Sequence, residues 1–140
     1  FFPMKPKVGI STFLHQDNFY FNGDPNTIVS CALYLQNTNK ENGCLRIIPG
    51  SHEIGIIPHD ANSHIEGIKW IDESKLNPNW ILDLELEAPY AVFFNINMIH
   101  GCYPNTSEGT RFSLAWEYIE SSNNNVATSH DNWCDRNLAG

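Results

Sequence analysis

Short stretches in which apolar and polar residues alternate, separated by turn-forming residues, run through most of this chain, and that pattern predicts β-strands rather than long helices. Residues 28–36 alternate enough for one strand, and residues 44–48 read as its return across an Asn42-Gly43 hairpin turn. Over residues 82–87 the alternation is strict. Leucines at 82, 84 and 86 face one side and acids at 83, 85 and 87 the other, which predicts a half-buried strand. Residues 91–99 are apolar on both faces and predict a buried strand that ends at His100. Pro, Asn and Gly within residues 103–109 then reverse the chain, so that residues 111–118 return as the partner strand with His100 and Arg111 as cross-strand neighbours.

The same periodicity organises the candidate chemistry. Thr12, Phe13 and Leu14 suit a strand, and Asn22-Gly23-Asp24-Pro25 is strong turn chemistry, which places His15 near a strand end. Residues i and i+2 of a strand share a face, so His15 and Asp17 can reach one ion while Gln16 points away. A lone His-x-Asp is a weak signal. With His100 it completes two histidines and one carboxylate on one side of a metal, the facial arrangement of non-haem Fe(II) oxygenases, which leaves coordination positions open. On the strand that follows, Arg111, Ser113 and Ala115 share one face, and Phe112, Leu114 and Trp116 share the other. The second face reads as core. The first sets a guanidinium among small residues, suited to bidentate capture of a carboxylate, with Ser113 offering a further hydroxyl.

These residues resemble the phytanoyl-CoA dioxygenase family of Fe(II)/2-oxoglutarate oxygenases. The resemblance rests on Leu14-His15-Gln16-Asp17, on the segment from Asn42-Gly43-Cys44 through Pro49-Gly50-Ser51-His52, and on Ile99-His100-Gly101 followed by Pro104-Asn105-Thr106-Ser107 and Arg111. It implies an all-β fold with minor helix, a double-stranded β-helix or jelly-roll, carrying iron on His15, Asp17 and His100. It also implies 2-oxoglutarate as cosubstrate, with its distal carboxylate on Arg111 and with Ser113, Gln16 and Cys102 nearby. The implied reaction consumes O2, hydroxylates a C–H bond of a small-molecule substrate and releases succinate and CO2. Asp17 favours that outcome, because related halogenases typically lack this carboxylate. Three positions depart from the family pattern: Cys102 stands where Ser is usual, Ala88-Pro89 where Gly-Asp is common, and Leu33 where an aromatic often occurs. Cys is a poorer hydrogen-bond donor than Ser, so the first departure bears on the cosubstrate pocket.

At 140 residues the chain reads as a single domain spanning 1–140, and no apolar run approaches the roughly 18 residues of a membrane span. A net charge of −8 with only eight Lys and Arg argues against nucleic acid, which needs a basic footprint. Cys31, Cys44, Cys102 and Cys134 form no CxxC pair and read as free thiols of a reducing compartment, which points to the cytoplasm. Asn105-Thr106-Ser107 is formally a glycosylation sequon, but the same residues already serve as a turn. Phe1 precedes the first candidate ligand closely, whereas the resembled family carries a partly helical segment upstream. The expectation is a C-terminal catalytic part of a longer chain, with apolar surface at Phe1 and Phe2.

Residues 58–80 lack strong periodicity. They read as a substrate lid over the barrel mouth, with one short helix near residues 72–76. His52, His59, His64 and His130 read as surface or loop histidines, Trp70 and Trp80 as packing residues, and Arg46 as an exposed strand residue. The polar tail reads as a loop folding back through Trp133. Two other functions share these residues: a Zn-dependent hydrolase or lyase on the same His/Asp/His set, and a non-catalytic jelly-roll binding module. Neither needs Arg111 beside the metal.

Overall fold

The structure is a computed structural model that describes residues 1–7, 11–62 and 68–121. In chain order its elements are β1 (Phe2–Met4), β2 (Thr12–His15), a four-residue helix α1 (Asn18–Phe21), β3 (Ile28–Tyr34), β4 (Leu45–Ile47), β5 (Ala61–Asn62), β6 (Lys69–Trp70), β7 (Leu82–Asp83), β8 (Tyr90–Asn95), β9 (His100–Cys102) and β10 (Arg111–Ile119). Short 3-10 turns occupy Ser51–Ile54, Glu73–Lys75 and Pro78–Trp80. The second of these lies where a short helix was expected, and the Asp72 carboxylate caps it by accepting from the Ser74 N–H.

The strands form two four-stranded antiparallel sheets, ordered β1-β10-β3-β8 and β2-β9-β4-β7, with a small β5-β6 ribbon beside them. Mostly strand and little helix, this is the jelly-roll expected. The inward faces of the two sheets meet through Ala32, Tyr34 and Leu45. On the outer face of the second sheet Leu14, Ile48 and Ile99 are covered by Ile71, with Ile57, Leu76 and Ile81 packed against the cluster. Burying side chains of this kind stabilises the fold by about 1.5–3 kcal/mol each.

The sandwich revises several expectations. Residues 44–48 do not return against residues 28–36, because β3 pairs with β10 and β8 while β4 pairs with β9 and β7. The Asn42-Gly43 segment therefore carries the chain from one sheet to the other. Gly43 has φ +83°, and a Cβ there would lie 2.7 Å from the Tyr103 carbonyl oxygen, so the crossing requires glycine. The apolar run 91–99 likewise breaks in two. Met98 N–H donates to the Asn95 carbonyl in a turn, after which the chain enters the second sheet as β9. His100 and Arg111 are consequently on opposite sheets: His100 pairs with His15 and Ile47, Arg111 with Met4. Periodicity marks strands but carries no information on which sheet receives them.

Face assignments shift for the same reason. The Phe112 face of β10 is the outer one, with Phe112 37% exposed, while the Arg111 face points into the sandwich. Only Leu82–Asp83 of the strict alternation is strand, and both Leu82 and Leu86 are exposed. Trp80 is exposed rather than packed. Arg46, expected to be exposed, is buried, paired with Glu73 at 2.5 Å and set over the Tyr103 ring. His59 is buried as well, stacked on Phe19 at 4.1 Å. Cys31, Cys44 and Cys102 are buried free thiols. His64, His130, Trp133 and Cys134 lie outside the described residues. No helix among the described residues is long and apolar enough to cross a membrane.

Candidate metal centre and cosubstrate cavity

His15 ends β2, and the chain then turns rather than continuing extended. Asp17 sits at the N-cap of α1 with φ −56° and ψ −37°, in helical rather than strand geometry. The convergence that strand alternation predicts is reached by another route. An N-cap Asp ordinarily accepts a backbone N–H from the first turn. The Asp17 side chain makes no such bond. Instead Oδ1 lies 3.3 Å from His15 Nε2 and 3.7 Å from His100 Nε2, while Oδ2 accepts from the Ser30 hydroxyl at 3.0 Å.

One ligand atom from each of His15, Asp17 and His100 lies within 4.8 Å of the others, which is the convergence an ion requires. The imidazole tautomers fit as well. His15 Nδ1 faces the Phe13 carbonyl at 2.9 Å and His100 Nδ1 faces the Met98 carbonyl at 3.0 Å. Each carbonyl can only accept, so the proton belongs on Nδ1 and the Nε2 lone pairs are turned toward the shared point. Burial opposes charge on Asp17, but the imidazoles of His100 and His15 together with the Ser30 hydroxyl outweigh it and hold the carboxyl at about 2. Burial pushes the His100 imidazole the other way, below its ordinary value, which favours the neutral form that a metal needs. Edge contacts from Trp70 at 5.4 Å to His15 and a tilted Phe94 at 4.7 Å to His100 fix the ring planes.

A register shift between Thr12 and His15 in β2 does part of the positioning. Three residues apart, they would face opposite sides of a regular strand. With the irregularity, Thr12 opposes Cys102, His15 opposes His100, and all four line the same cavity. The irregular β2 backbone presses on Gly101, where a Cβ would lie 2.5 Å from the Thr12 carbonyl oxygen and 3.1 Å from Phe13 backbone atoms. Backbone cannot swing aside as a side chain can. Gly101→Ala is therefore expected to cost about 1–3 kcal/mol in denaturant unfolding and to weaken metal binding by separating His15 from His100. Unchanged stability and affinity would remove this role for Gly101.

Between the sheets lies a cavity of about 670 Å³ reaching from the three ligands to Arg111. On its far wall the inward residues of β10 are Arg111, Ser113, Ala115 and Glu117. Arg111 is 4% exposed, donates to the Ser113 hydroxyl at 2.7 Å and to the Asn42 carbonyl at 3.3 Å, contacts Met4 Sδ and sits over the Tyr34 ring. No carboxylate pairs with it among the described residues. Cys102 lines the same cavity.

Gln16 does not. Expected near the cosubstrate, it is fully buried on the other side of the strand, where its amide donates to the Gly55 and Asn97 carbonyls and accepts from the Ile57 N–H. Its backbone N–H donates to His59 Nε2 at 2.9 Å. Gln16 thus fastens the 55–59 loop beneath the ligand pair. The lid reading changes with it, since no described residue of 58–80 lines the cavity. That segment returns along β2, where Ile71 N–H donates to the Leu14 carbonyl, and it buttresses His15 from behind through Trp70. Residues 63–67 lie outside the described residues.

The cavity wall that sequence reading missed is β1. Phe2 pairs with Ser113 and Met4 with Arg111, and both side chains line the cavity. Three residues offer too little alternation to be recognised. Ser30 and Glu117 were missed too, although each falls on the inward period of its strand and polar residues there are a usable signal.

Comparison with known proteins identifies the family. The family model for phytanoyl-CoA dioxygenase (PhyH) matches residues 1–113. A phytanoyl-CoA dioxygenase domain-containing protein 1 homolog of Dictyostelium discoideum is 30% identical over 132 residues, covering 91% of this chain and 47% of that protein. The peroxisomal phytanoyl-CoA dioxygenase of Homo sapiens is 30% identical over 116 residues, covering 77% of this chain and 33% of that protein. The chain thus spans about half or less of the length of these curated relatives. Among solved structures, the non-heme monooxygenase ThoJ superposes with a TM-score of 0.71 at 26% identity, covering 85% of this chain and 44% of that one. EvdO2 of Micromonospora carbonacea var. aurantiaca, solved with 2-oxoglutarate, gives 0.68 at 23% identity over 92% and 53%, a likeness of fold. The His15, Asp17 and His100 set is one that could hold a metal ion, in the two-histidine, one-carboxylate pattern of non-haem Fe(II) sites. From its sequence match and its metal-site geometry together, this chain belongs to the phytanoyl-CoA dioxygenase family.

Proposed function

We propose that the protein is an Fe(II)- and 2-oxoglutarate-dependent dioxygenase that hydroxylates a C–H bond of a small-molecule substrate. One oxygen atom of O2 enters the product and the other enters succinate, with CO2 released. The observation that carries this reading is Arg111: a buried guanidinium, facing the metal site across a shared cavity, with no acid beside it among the described residues. A buried charge is costly unless paired, so a ligand carboxylate completes it. A hydrolytic zinc site on the same three ligands would give Arg111 no task.

In this reading His15, Asp17 and His100 hold the iron, and the bound metal supplies oxidising power that no side chain possesses. The remaining work belongs to the chain. Arg111 grips the distal carboxylate of 2-oxoglutarate, and Ser113, whose oxygen already accepts from Arg111, has its own proton free to donate to the same group. Ser30 keeps Asp17 from rotating into solvent. Tyr34, Leu45 and Phe94 make the walls apolar, excluding water while substrate and cosubstrate are held in place. The buried free thiols suit a reducing compartment, which for this chain we take to be the cytoplasm, although the human relative is named as peroxisomal. The test is succinate release in air with a panel of candidate small molecules. It should require both Fe(II) and 2-oxoglutarate, and turnover indifferent to either would overturn the proposal.

A further inference from the structure

Resting on that reading, we infer that Glu117 determines substrate specificity by anchoring a protonated amine of the substrate. Glu117 closes the inward row of β10, at the opposite end from Arg111. Its cross-strand neighbour is Ser30, the residue whose hydroxyl holds Asp17, and the next position in that row is Phe94, packed on His100. The candidate metal centre therefore lies toward the Glu117 end of the cavity. Arg111 serves the cosubstrate, and Glu117 borders the space left for substrate.

Glu117 Oε2 is shut off from water and has no hydrogen-bond partner among the described residues. Burial, reinforced by the nearby Asp17 charge, pushes its carboxyl up to about 7. An acceptor left in this condition costs stability, and the cost is recovered when the side chain, which lines the cavity, turns to meet a ligand that brings a donor. Charge balance selects the donor. Iron(II) and Arg111 are offset by Asp17 and the two carboxylates of 2-oxoglutarate, and Lys5, the other cation lining the cavity, is exposed and follows Met4 at the Arg111 end, which leaves the Glu117 carboxylate uncompensated at its own end. An ammonium group neutralises it, whereas a second anion would not. Ala115, small and open to the cavity, leaves room beside it for the rest of the molecule, and Phe94 supplies an apolar wall.

The experiment uses protein loaded with redox-inert Zn(II) at mildly alkaline pH and three matched probes: phenylpropylamine, phenylpropanol and phenylpropanoate. Affinities are read by ligand-observed NMR titration, with and without 2-oxoglutarate, whose own binding is followed in the same samples. The amine should bind roughly tenfold more tightly than the carboxylate, as expected for one charge-assisted contact. Glu117→Gln should abolish that preference and leave 2-oxoglutarate affinity unchanged. Equal affinities in the parent, no binding of the amine, or a preference that survives in Glu117→Gln overturns the assignment, and the parent comparison stands even if the variant fails to fold. Absence of metal-dependent 2-oxoglutarate binding would instead count against the dioxygenase reading, so the two failures are distinguishable.

Discussion

Asp17→Ala is expected to abolish stoichiometric binding of a divalent ion while leaving a folded jelly-roll. The carboxylate is the only anionic member of the ligand set, and it sits between the two imidazole Nε2 atoms. Removing even a residue that merely orients a ligand costs about 10- to 100-fold in metal affinity, and deleting a ligand outright should exceed roughly a hundredfold. The loss should be specific to the metal. Asp17 lies at the start of a four-residue helix that its side chain does not cap, so the backbone there has little dependence on the carboxylate. Calorimetric titration with Fe(II) under anaerobic conditions checks the effect, and circular dichroism checks the fold. A variant that binds the ion as tightly as the parent would show that the three side chains do not act as one site.

Arg111→Ala should leave metal affinity intact and weaken 2-oxoglutarate by roughly ten- to a hundredfold, the equivalent of the 1.5–3 kcal/mol typical of a charge-assisted contact. Metal and cosubstrate separate here because Arg111 and the two histidines lie on opposite sheets across the cavity. Arg111→Lys should recover only part of the loss, since an ammonium restores charge without the planar fork. Ser113→Ala should fall in the same direction with a smaller effect. Equal 2-oxoglutarate affinity in Arg111→Ala and parent, measured with metal bound, would remove the anchor assignment.

The convergence of His15, Asp17 and His100 was legible because three chemistry-bearing residue types combine with Arg111 in one order along the chain, and the inward face of Arg111 because small residues share it. Both survive errors in local structure: Asp17 is not on a strand at all, yet it reaches His15. The jelly-roll was legible from short alternating segments and turns. What escaped was pairing. Nothing in residues 91–99 or 42–44 records that the chain changes sheets there, because the information resides in long-range contacts such as Ile47 with His100 and Tyr34 with Tyr90. Burial of polar residues escaped for a related reason. Arg46, His59 and Gln16 are polar residues buried by partners distant in sequence, Glu73 for the first, Gln16 for the second and Gly55, Ile57 and Asn97 for the third. Composition favours the surface for such residues, and only the partner can reverse that.

In the proposed site, His15, Asp17 and His100 hold a metal on which 2-oxoglutarate binds with Arg111 as its second anchor. An anaerobic calorimetric titration, Fe(II) first and 2-oxoglutarate second, tests it most directly. One ion per chain should bind, and 2-oxoglutarate should bind only once the ion is in place. Binding of 2-oxoglutarate that is indifferent to the metal, or metal binding that survives His100→Ala unchanged, would contradict it.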